Sequence, residues 1–290
     1  CCQLKQVMPD TKLLLAGPEV SYNSTEIMEQ YTFIDGIIRG EGEAALIPLL
    51  KHLQSKTPAA SVPSFTYRIG QHIAETEQAS PISLSQLPFP YPDLEKEKGR
   101  ILYFECSRGC PFQCGYCLSS IEKGVRFMPL EQVYQCLDLF LSKDVPQVKF
   151  VDRTFNCNKA YAFSIWNYLK EHDNGITNFH FEIAGELLDQ ETISFLSTVR
   201  KDQFQFEVGV QSTNTETLSA ITRKTDTNKL LQICKEIDSF GNIHLHLDLI
   251  AGLPFEDISS FRHSFNQVFQ IRPQQLQLGF LKILKGSSIH

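Results

Sequence analysis

The chain has 290 residues, of which 42% are hydrophobic and 21% charged, and its formal net charge is −6 at pH 7. These values are ordinary for a globular protein with one large α/β domain and a smaller second piece. The acidic balance argues against a broad nonspecific nucleic-acid-binding face, which must be basic, and leaves room only for a local basic patch. No apolar run reaches transmembrane length and no signal peptide opens the chain, so we expect a protein of the reducing cytoplasm.

Residues 1–56 form the first predicted zone. Two strands, Lys12–Ala16 and Phe33–Ile38, and two helices are predicted there, one at Glu26–Gln30 and one amphipathic helix through Leu46, Leu49, Leu50 and Leu53. Strand, helix, strand, helix is half of a doubly wound, Rossmann-like domain. Such a half leaves faces uncovered, and the chain opens on Cys1 without an initiator Met. We therefore expect a fragment of a longer protein.

Residues 57–98 are predicted to be a connector, because prolines recur along this stretch. Within it, Ser64–Ile69 and Gln71–Ala74 predict a small hairpin that turns at Gly70. Leu87–Pro92 alternates proline with other residues, and each proline disfavours a helical conformation of its predecessor. This last stretch should therefore be extended.

Residues 99–290 alternate strands and helices. The predicted strands are Ile101–Cys106, Val148–Asp152, Asn178–Ile183, Phe204–Val210, Ile243–Ile250 and Gln275–Leu281. Helices are predicted at 130–142, 158–172, 189–199, 214–220 with 227–240, and 257–270. Such repeats predict a parallel sheet with right-handed crossovers. Six units are too few for a closed eight-stranded barrel, so we expect a partial (β/α)6, TIM-like barrel with its site at the carboxyl ends of the strands.

Cys110, Cys114 and Cys117 have the spacing C-x3-C-x2-C. Three thiolates at this spacing can bind three irons of a four-iron cluster, whereas clusters that only carry electrons usually have four cysteines. The fourth iron would then be open to a substrate or cofactor. One alternative is a zinc site that uses Cys106 as the fourth ligand, although zinc cysteines usually form two separated pairs. A disulfide scaffold is disfavoured, because nine cysteines are sparse in this length and odd in number.

Polar residues lie within or just after the later predicted strands. They include Asp152, Asn156, Glu182, Glu207, Gln211, Ser212 and Asp248. Burial of unpaired polar groups costs a few kcal/mol each, so their convergence predicts a functional site. Helix capping is an equal alternative for Asp152, Asn156, Ser212 and Asn214. His244 and His246 share a strand face, and without a third ligand we interpret them as non-metal residues.

The motif and the strand pattern over residues 100–285 resemble the radical S-adenosylmethionine (SAM) enzymes. The resemblance implies that Cys110, Cys114 and Cys117 are cluster ligands and catalytic residues. It also implies a set of SAM contacts at Tyr116, Asp152, Glu182, Glu207, Gln211, Ser212, Arg223, Asp248, Gly252 and Leu253. Among these, Gly252 would let backbone approach the adenine, and the Arg223 guanidinium suits the SAM carboxylate. A solvated charge at a helix end is the alternative for Arg223.

Many family members carry Gly-Gly-Glu after the second strand to hold the SAM amine, and this chain has Val151-Asp-Arg-Thr154 there. This form resembles the cobalamin-linked branch, which includes anaerobic magnesium-protoporphyrin ester cyclases and methylthiotransferases. Ala16–Ser21 and Arg39–Glu43 are similar to the second half of that branch's cobalamin-binding domain. The cobalt-ligand motif D-x-H-x-x-G would lie upstream of Cys1. The group that holds the amine is left open.

The resemblance implies a [4Fe-4S] cluster that cleaves SAM reductively to a 5′-deoxyadenosyl radical, with cobalamin in the intact protein. Flavodoxin or ferredoxin would donate the electron, and the substrate would be a small molecule that the sequence does not identify. Two alternatives remain: a noncatalytic iron–sulfur or zinc module, and a tRNA methylthiotransferase-like enzyme. The acidic balance disfavours the second alternative, because RNA binding needs a basic face.

Overall fold

The computed structural model describes residues 2–121 and 124–289, which form two compact units. The first unit comprises residues 2–82 with Leu284–Ser288, and the second comprises Ser83–Ile283 with Ile289. The division after Ile82 falls inside the predicted connector, residues 57–98. Residues 57–82 of that segment belong to the first unit, and they supply two strands of its sheet.

The first unit is built on a four-stranded sheet with the order β1-β2-β3-β4. Its strands and helices are β1 (Leu14–Ala16), β2 (Gly36–Ile38), β3 (Phe65–Ile69), β4 (His72–Glu75), α1 (Cys2–Val7), α2 (Pro18–Ser21), α3 (Ser24–Gln30) and α4 (Glu43–Leu53). β1 and β2 are parallel, and β3 and β4 are antiparallel additions. The predicted hairpin is confirmed, with Gly70 at its turn in the left-handed region (φ +61°).

The predicted helix α4 forms, but its predicted apolar face is wrong. Of the four leucines, Leu49 is buried, whereas Leu46, Leu50 and Leu53 are 55%, 45% and 41% exposed. Leu49 packs with Ala45 in a small core that also contains Ile38, Val62 and Phe65. Leu46, Leu50 and Leu53 lie outside this core, so the sequence pattern overstated how much of the helix is covered.

The second unit contains a six-stranded, fully parallel sheet with the order β5-β8-β9-β10-β11-β12. Its strands are β5 (Ile101–Phe104), β6 (Ser107–Gly109), β7 (Val125–Phe127), β8 (Gln147–Phe150), β9 (Asn178–Ile183), β10 (Phe204–Gln211), β11 (His244–Ala251) and β12 (Gln275–Phe280). Its helices are α5 (Leu130–Ser142), α6 (Lys159–Glu171), α7 (Gln190–Leu196), α8 (Thr215–Ala220), α9 (Thr227–Phe240) and α10 (Ile258–Phe269). The neighbouring strands follow chain order, as in a partial TIM-like barrel, and the predicted elements are confirmed to within a few residues at each end.

Short 3₁₀-helices occupy several of the connections between these elements. They are Ala59–Ser61, Leu84–Gln86, Leu94–Glu97, Leu118–Ser120, Phe155–Cys157 and Gly185–Leu187. None of the described helices, in either residues 2–121 or 124–289, is long and apolar enough to cross a membrane.

The barrel strands alternate aromatic and polar residues, which places the two kinds on opposite faces of the sheet. In β9, Phe179 and Phe181 are fully buried and pack in the main core, while His180 and Glu182 point to the other side. In β10, Phe206 continues this aromatic layer, 6.1 Å from the Phe181 ring. The aromatic layer fixes the register, so the intervening polar side chains are forced into the barrel interior.

A two-stranded antiparallel ribbon, β6 with β7, flanks the cysteine loop and was not predicted. Gly109 ends β6 with φ +105°, and a Cβ there would lie 2.2 Å from the Gly124 carbonyl oxygen. Only glycine fits this close backbone approach. Two three-residue strands carry too little pattern to be recognised in a sequence.

Candidate functional site

Three cysteines of the loop between β6 and β7 line a single cavity. Cys114 is buried, whereas Cys110 and Cys117 are partly exposed. Backbone hydrogen bonds hold the loop: the Cys117 amide donates to the Cys114 carbonyl at 3.0 Å, and the Gly115 amide donates to the Ile221 carbonyl at 2.8 Å. The loop therefore presents three thiols to one space.

This cavity has a volume of about 180 Å³ and lies at the carboxyl ends of β9, β10 and β11. Its lining comprises Cys110, Phe112, Cys114, Tyr116, Cys117, Ser120, Arg153, Thr154, Glu182, Ile183, Ala184, Glu207, Gly209, Gln211, Arg223 and Asp248. The location matches the expectation that a parallel barrel carries its site at the strand ends. Most of the residues selected from the sequence are brought together here.

Arg223 extends into this cavity beside the cysteine loop. Its Nη1 is 3.9 Å from Cys114 Sγ, and its Nη2 donates to the Gly209 carbonyl. Within the described residues its Nε makes no hydrogen bond. Arg223 is thus a cavity residue and not a solvated helix-end charge. Its unpaired N–H can donate a hydrogen bond to an anionic group such as a carboxylate.

Three carboxylates, Glu182, Glu207 and Asp248, line the cavity from adjacent strands. His180 Nε2 lies 2.9 Å from Glu207 Oε2 and Lys149 Nζ lies 3.2 Å from it, and together they lower the pKa of Glu207 to about 2. Burial, and then repulsion from Glu207, raises the pKa of Glu182 to about 7. One carboxylate is therefore held ionised while its neighbour titrates near neutral pH, a division that suits proton exchange.

Several lining residues were not selected from the sequence. Arg153 and Thr154 lie three and four residues after the end of β8, and Thr154 Oγ1 lies 3.4 Å from Cys110 Sγ. Lys149 and His180 were missed as partners of Glu207. The period-two alternation of polar residues with phenylalanine in these strands was the signal that could have identified both.

Asp152 does not line the cavity. It is fully buried, and its carboxylate accepts hydrogen bonds from the Cys106 amide at 3.3 Å and from the Cys106 thiol at 3.2 Å. It also accepts one from the Ser107 hydroxyl. Burial raises the pKa of Asp152 to about 6. The helix-cap alternative is wrong, since Asn158 caps α6. Asp152 instead anchors the strand end that leads into the cysteine loop.

Ser212, Gly252 and Leu253 also lie outside the cavity lining. Ser212 Oγ accepts from the Asn214 amide at 3.0 Å and donates to Glu256 Oε1, so it supports the turn before α8. Gly252 has φ +85°, and Leu253 is buried in a cluster against which Tyr116 packs. The predicted contacts of these three residues with a cofactor remain predictions.

The donor set fits three irons of a four-iron cluster better than it fits a four-cysteine zinc site. Of the cysteines among residues 2–121 and 124–289, only the three loop thiols line the cavity. Cys106, the candidate fourth ligand for zinc, is fully buried and its thiol donates to Asp152. Burial, reinforced by Asp152, raises the pKa of the Cys106 thiol well above its ordinary value, which disfavours the thiolate that a metal requires.

Two of the known proteins that this chain resembles in sequence are named as methyltransferases. The chain is 24% identical over 273 residues to an uncharacterized methyltransferase of Pyrococcus horikoshii, covering 87% of this chain and 56% of that protein. It is 25% identical over 299 residues to the cobalamin-dependent radical SAM methyltransferase TokK of Streptomyces tokunonensis, covering 92% of this chain and 42% of TokK. The chain thus spans about half the length of these relatives.

The fold matches that of a solved methyltransferase. The structure of the radical SAM methyltransferase TsrM from Kitasatospora setae, with cobalamin and a [4Fe-4S] cluster bound, has a TM-score of 0.78 and 15% identity, covering 97% of this chain and 57% of TsrM. At that identity the likeness concerns the fold alone. Residues 104–268 match the model of the radical SAM superfamily. The chain therefore belongs to the radical SAM superfamily, an enzyme superfamily whose members use a [4Fe-4S] cluster and SAM.

Proposed function

We propose that this chain is the SAM-cleaving core of a cobalamin-dependent radical SAM enzyme. The observation that carries the proposal is that Cys110, Cys114 and Cys117 line one cavity with no further cysteine in its described lining. Three thiolates would hold three irons and leave the fourth for SAM. When bound, the cluster supplies the electron that cleaves SAM to methionine and a 5′-deoxyadenosyl radical.

The residues around the loop would bind and orient SAM. Arg223, whose Nε–H has no partner among the described residues, would donate hydrogen bonds to the SAM carboxylate. Gln211 lines the cavity from β10 and would contact the ribose, and Tyr116 would offer its backbone to the adenine. Asp152 would act indirectly, by anchoring the cysteine loop.

The cavity carboxylates would differ in whether they hold a proton. Glu182, whose pKa is about 7, is the residue that would exchange a proton with a bound group at neutral pH. Glu207 would remain ionised beside His180 and Lys149 and keep those side chains in place. Burial raises the pKa of Asp248 as well.

The whole protein's reaction is proposed from its relatives. TokK is named as a cobalamin-dependent radical SAM methyltransferase, and the TsrM structure contains cobalamin and a cluster. By this likeness we propose that the whole protein uses cobalamin and transfers a methyl group to a small molecule. Radical SAM enzymes require an electron donor, and a flavodoxin or ferredoxin would serve here.

Anaerobic reconstitution tests the SAM-cleaving core. The chain is loaded with iron and sulfide, reduced and mixed with SAM, and iron, sulfide and released 5′-deoxyadenosine are measured. We expect about four irons and four sulfides per chain, a changed EPR signal on SAM addition, and release of 5′-deoxyadenosine. Bound zinc without sulfide or SAM cleavage would refute the proposal.

Single substitutions provide the matched comparison for this test. Cys110→Ser, Cys114→Ser and Cys117→Ser should each lose the cluster and the release of 5′-deoxyadenosine. Cys136→Ala is the control, because Cys136 is a buried thiol of α5 and does not line the cavity. Equal losses in Cys136→Ala would show that the effect is structural and not due to iron ligation.

A further inference from the structure

Two histidines and a glutamate from three adjacent barrel strands converge on one point of the interior. They are His180 of β9, Glu207 of β10 and His246 of β11. Glu207 lies opposite His246 in the strand pairing, and His180 pairs with the residue two positions before Glu207. All three side chains therefore point to the same face of the sheet, next to the cavity that Glu207 lines.

One ligand atom from each of these residues lies within 4.8 Å of the other two. His180 Nε2 is 2.9 Å and His246 Nδ1 is 3.7 Å from Glu207 Oε2. A zinc ion holds nitrogen and oxygen ligands at about 2.0–2.2 Å, so its ligand atoms lie roughly 3–4 Å apart. The three atoms thus need to move little to coordinate one ion.

Three of the four ring nitrogens of this cluster make no hydrogen bonds among the described residues. His180 Nε2 and both nitrogens of His246 are buried without a partner of suitable geometry, although their carboxylate neighbours are close. The side chains of His180 and His246 are only 7% and 5% exposed. Buried polar groups are nearly always satisfied, so several unsatisfied nitrogens at one point indicate a bound group.

We propose that His180, Glu207 and His246 bind a divalent transition-metal ion of the zinc class, separate from the iron–sulfur site. Two imidazoles and one carboxylate form a ligand set that zinc accepts with a fourth position open. Imidazole ligands favour zinc over magnesium or calcium, which prefer oxygen. Asp248 Oδ1, 3.0 Å from His246 Nε2, lies on the other side of the ring and would orient it.

Lys149 is the competing cation at this position. Its Nζ lies 3.2 Å from the same Glu207 oxygen, and its side chain is 28% exposed, so it can withdraw toward solvent. A lysine is a flexible point charge and repels a nearby divalent ion. Lys149→Met should therefore tighten metal binding, by roughly tenfold or more given the short distance.

The test uses the full chain with Cys110, Cys114 and Cys117 all changed to Ser, so that no cluster competes. The chain is stripped with a chelator and titrated with Zn²⁺ and Co²⁺, and metal content and visible absorption are recorded. We expect one equivalent of metal and a cobalt spectrum without a thiolate-to-cobalt band. Because no cluster or SAM is involved, this result is independent of the proposed SAM cleavage.

His246→Gln and Glu207→Gln in the same background should weaken binding at least about tenfold, because each removes a ligand. His244→Gln is the matched control, since His244 lies two residues away on the same strand and outside the cluster. Circular dichroism and thermal unfolding check that each variant folds. No stoichiometric metal, a thiolate-type cobalt spectrum, or equal losses in His244→Gln would overturn the proposal.

Discussion

Arg223 connects the end of β10 to the cysteine loop across the cavity. It spans from Cys114 Sγ to the Gly209 carbonyl and keeps one N–H unpaired. A lysine cannot reproduce this planar fork, because it carries a single point charge. Its replacement therefore separates anion binding from cluster binding.

Arg223→Lys is expected to weaken SAM binding by about tenfold or more, because charge-assisted hydrogen bonds contribute about 1.5–3 kcal/mol. Iron and sulfide content should stay unchanged. Equilibrium dialysis with SAM and metal analysis on the same sample measure both quantities. Lys224→Met is the control, since Lys224 is adjacent and exposed. Undiminished SAM binding in Arg223→Lys would exclude Arg223 from SAM recognition.

Asp152 gives a pH dependence of stability whose sign follows from its burial. Its pKa is raised from 3.8 to about 6, so the folded state binds more protons than the unfolded state between these values. The contribution of Asp152 to the free energy of unfolding is therefore largest below pH 3.8 and decreases as pH rises toward 6. The change is about 2–3 kcal/mol at about 1.4 kcal/mol per unit.

Asp152→Asn should remove this dependence, because asparagine does not titrate. The stability of the variant relative to the parent should therefore improve as pH rises from about 4 to about 7, whatever its value at the start. Urea unfolding of the metal-free chain at several pH values measures it. Parallel pH curves for the two proteins would contradict the assigned origin of the shift.

At the scale of elements, the β6–β7 ribbon holds the ends of the cysteine loop together. Gly109→Ala should reduce cluster loading and lower the free energy of unfolding by about 1–3 kcal/mol, because the new Cβ meets the Gly124 carbonyl and φ is positive. Iron content and urea unfolding measure the two effects. The loss of iron is expected from the displaced loop.

Gly175→Ala is the matched control for this substitution. Gly175 also has a positive φ, +74°, but a Cβ there meets nothing within 4 Å. It should therefore show the cost of backbone strain without the clash, and it should keep its iron. Equal iron loss in both variants would mean that the ribbon does not position the cysteines.

At the scale of the whole molecule, the aromatic layer behind the sheet determines where the polar residues go. Phe181 packs against Phe150, Phe155 and Phe206 in the fully buried core of the second unit. Trp166, the chain's one tryptophan, is buried in the same core. Its fluorescence therefore reports the unfolding of this unit.

Phe181→Ala should lower the free energy of unfolding followed by Trp166 fluorescence by about 3–5 kcal/mol, because it removes a large buried ring and leaves a cavity. Phe280→Ala is the control, since Phe280 is 82% exposed at the end of β12. That variant should unfold within about 0.5 kcal/mol of the parent. A similar loss in both would show that the ring contacts are not the source of stability.

The sequence alone determined the strand and helix order of the barrel, because period-two and helical patterns are local properties of the chain. It also predicted that Cys110, Cys114 and Cys117 act together, since they lie within eight residues, and the structure places all three at one cavity. It misjudged α4, where Leu46 and Leu50 are exposed, because a pattern shows which face is apolar but not what covers it.

Only the tertiary structure decided which polar residues share the cavity. Asp152 and Glu182 look alike in the sequence, yet one anchors the start of the cysteine loop and the other lines the cavity. The convergence of His180 and His246 on Glu207 depends on strand register across residues far apart in the chain. Register is set by packing of the aromatic layer, and no local pattern contains it.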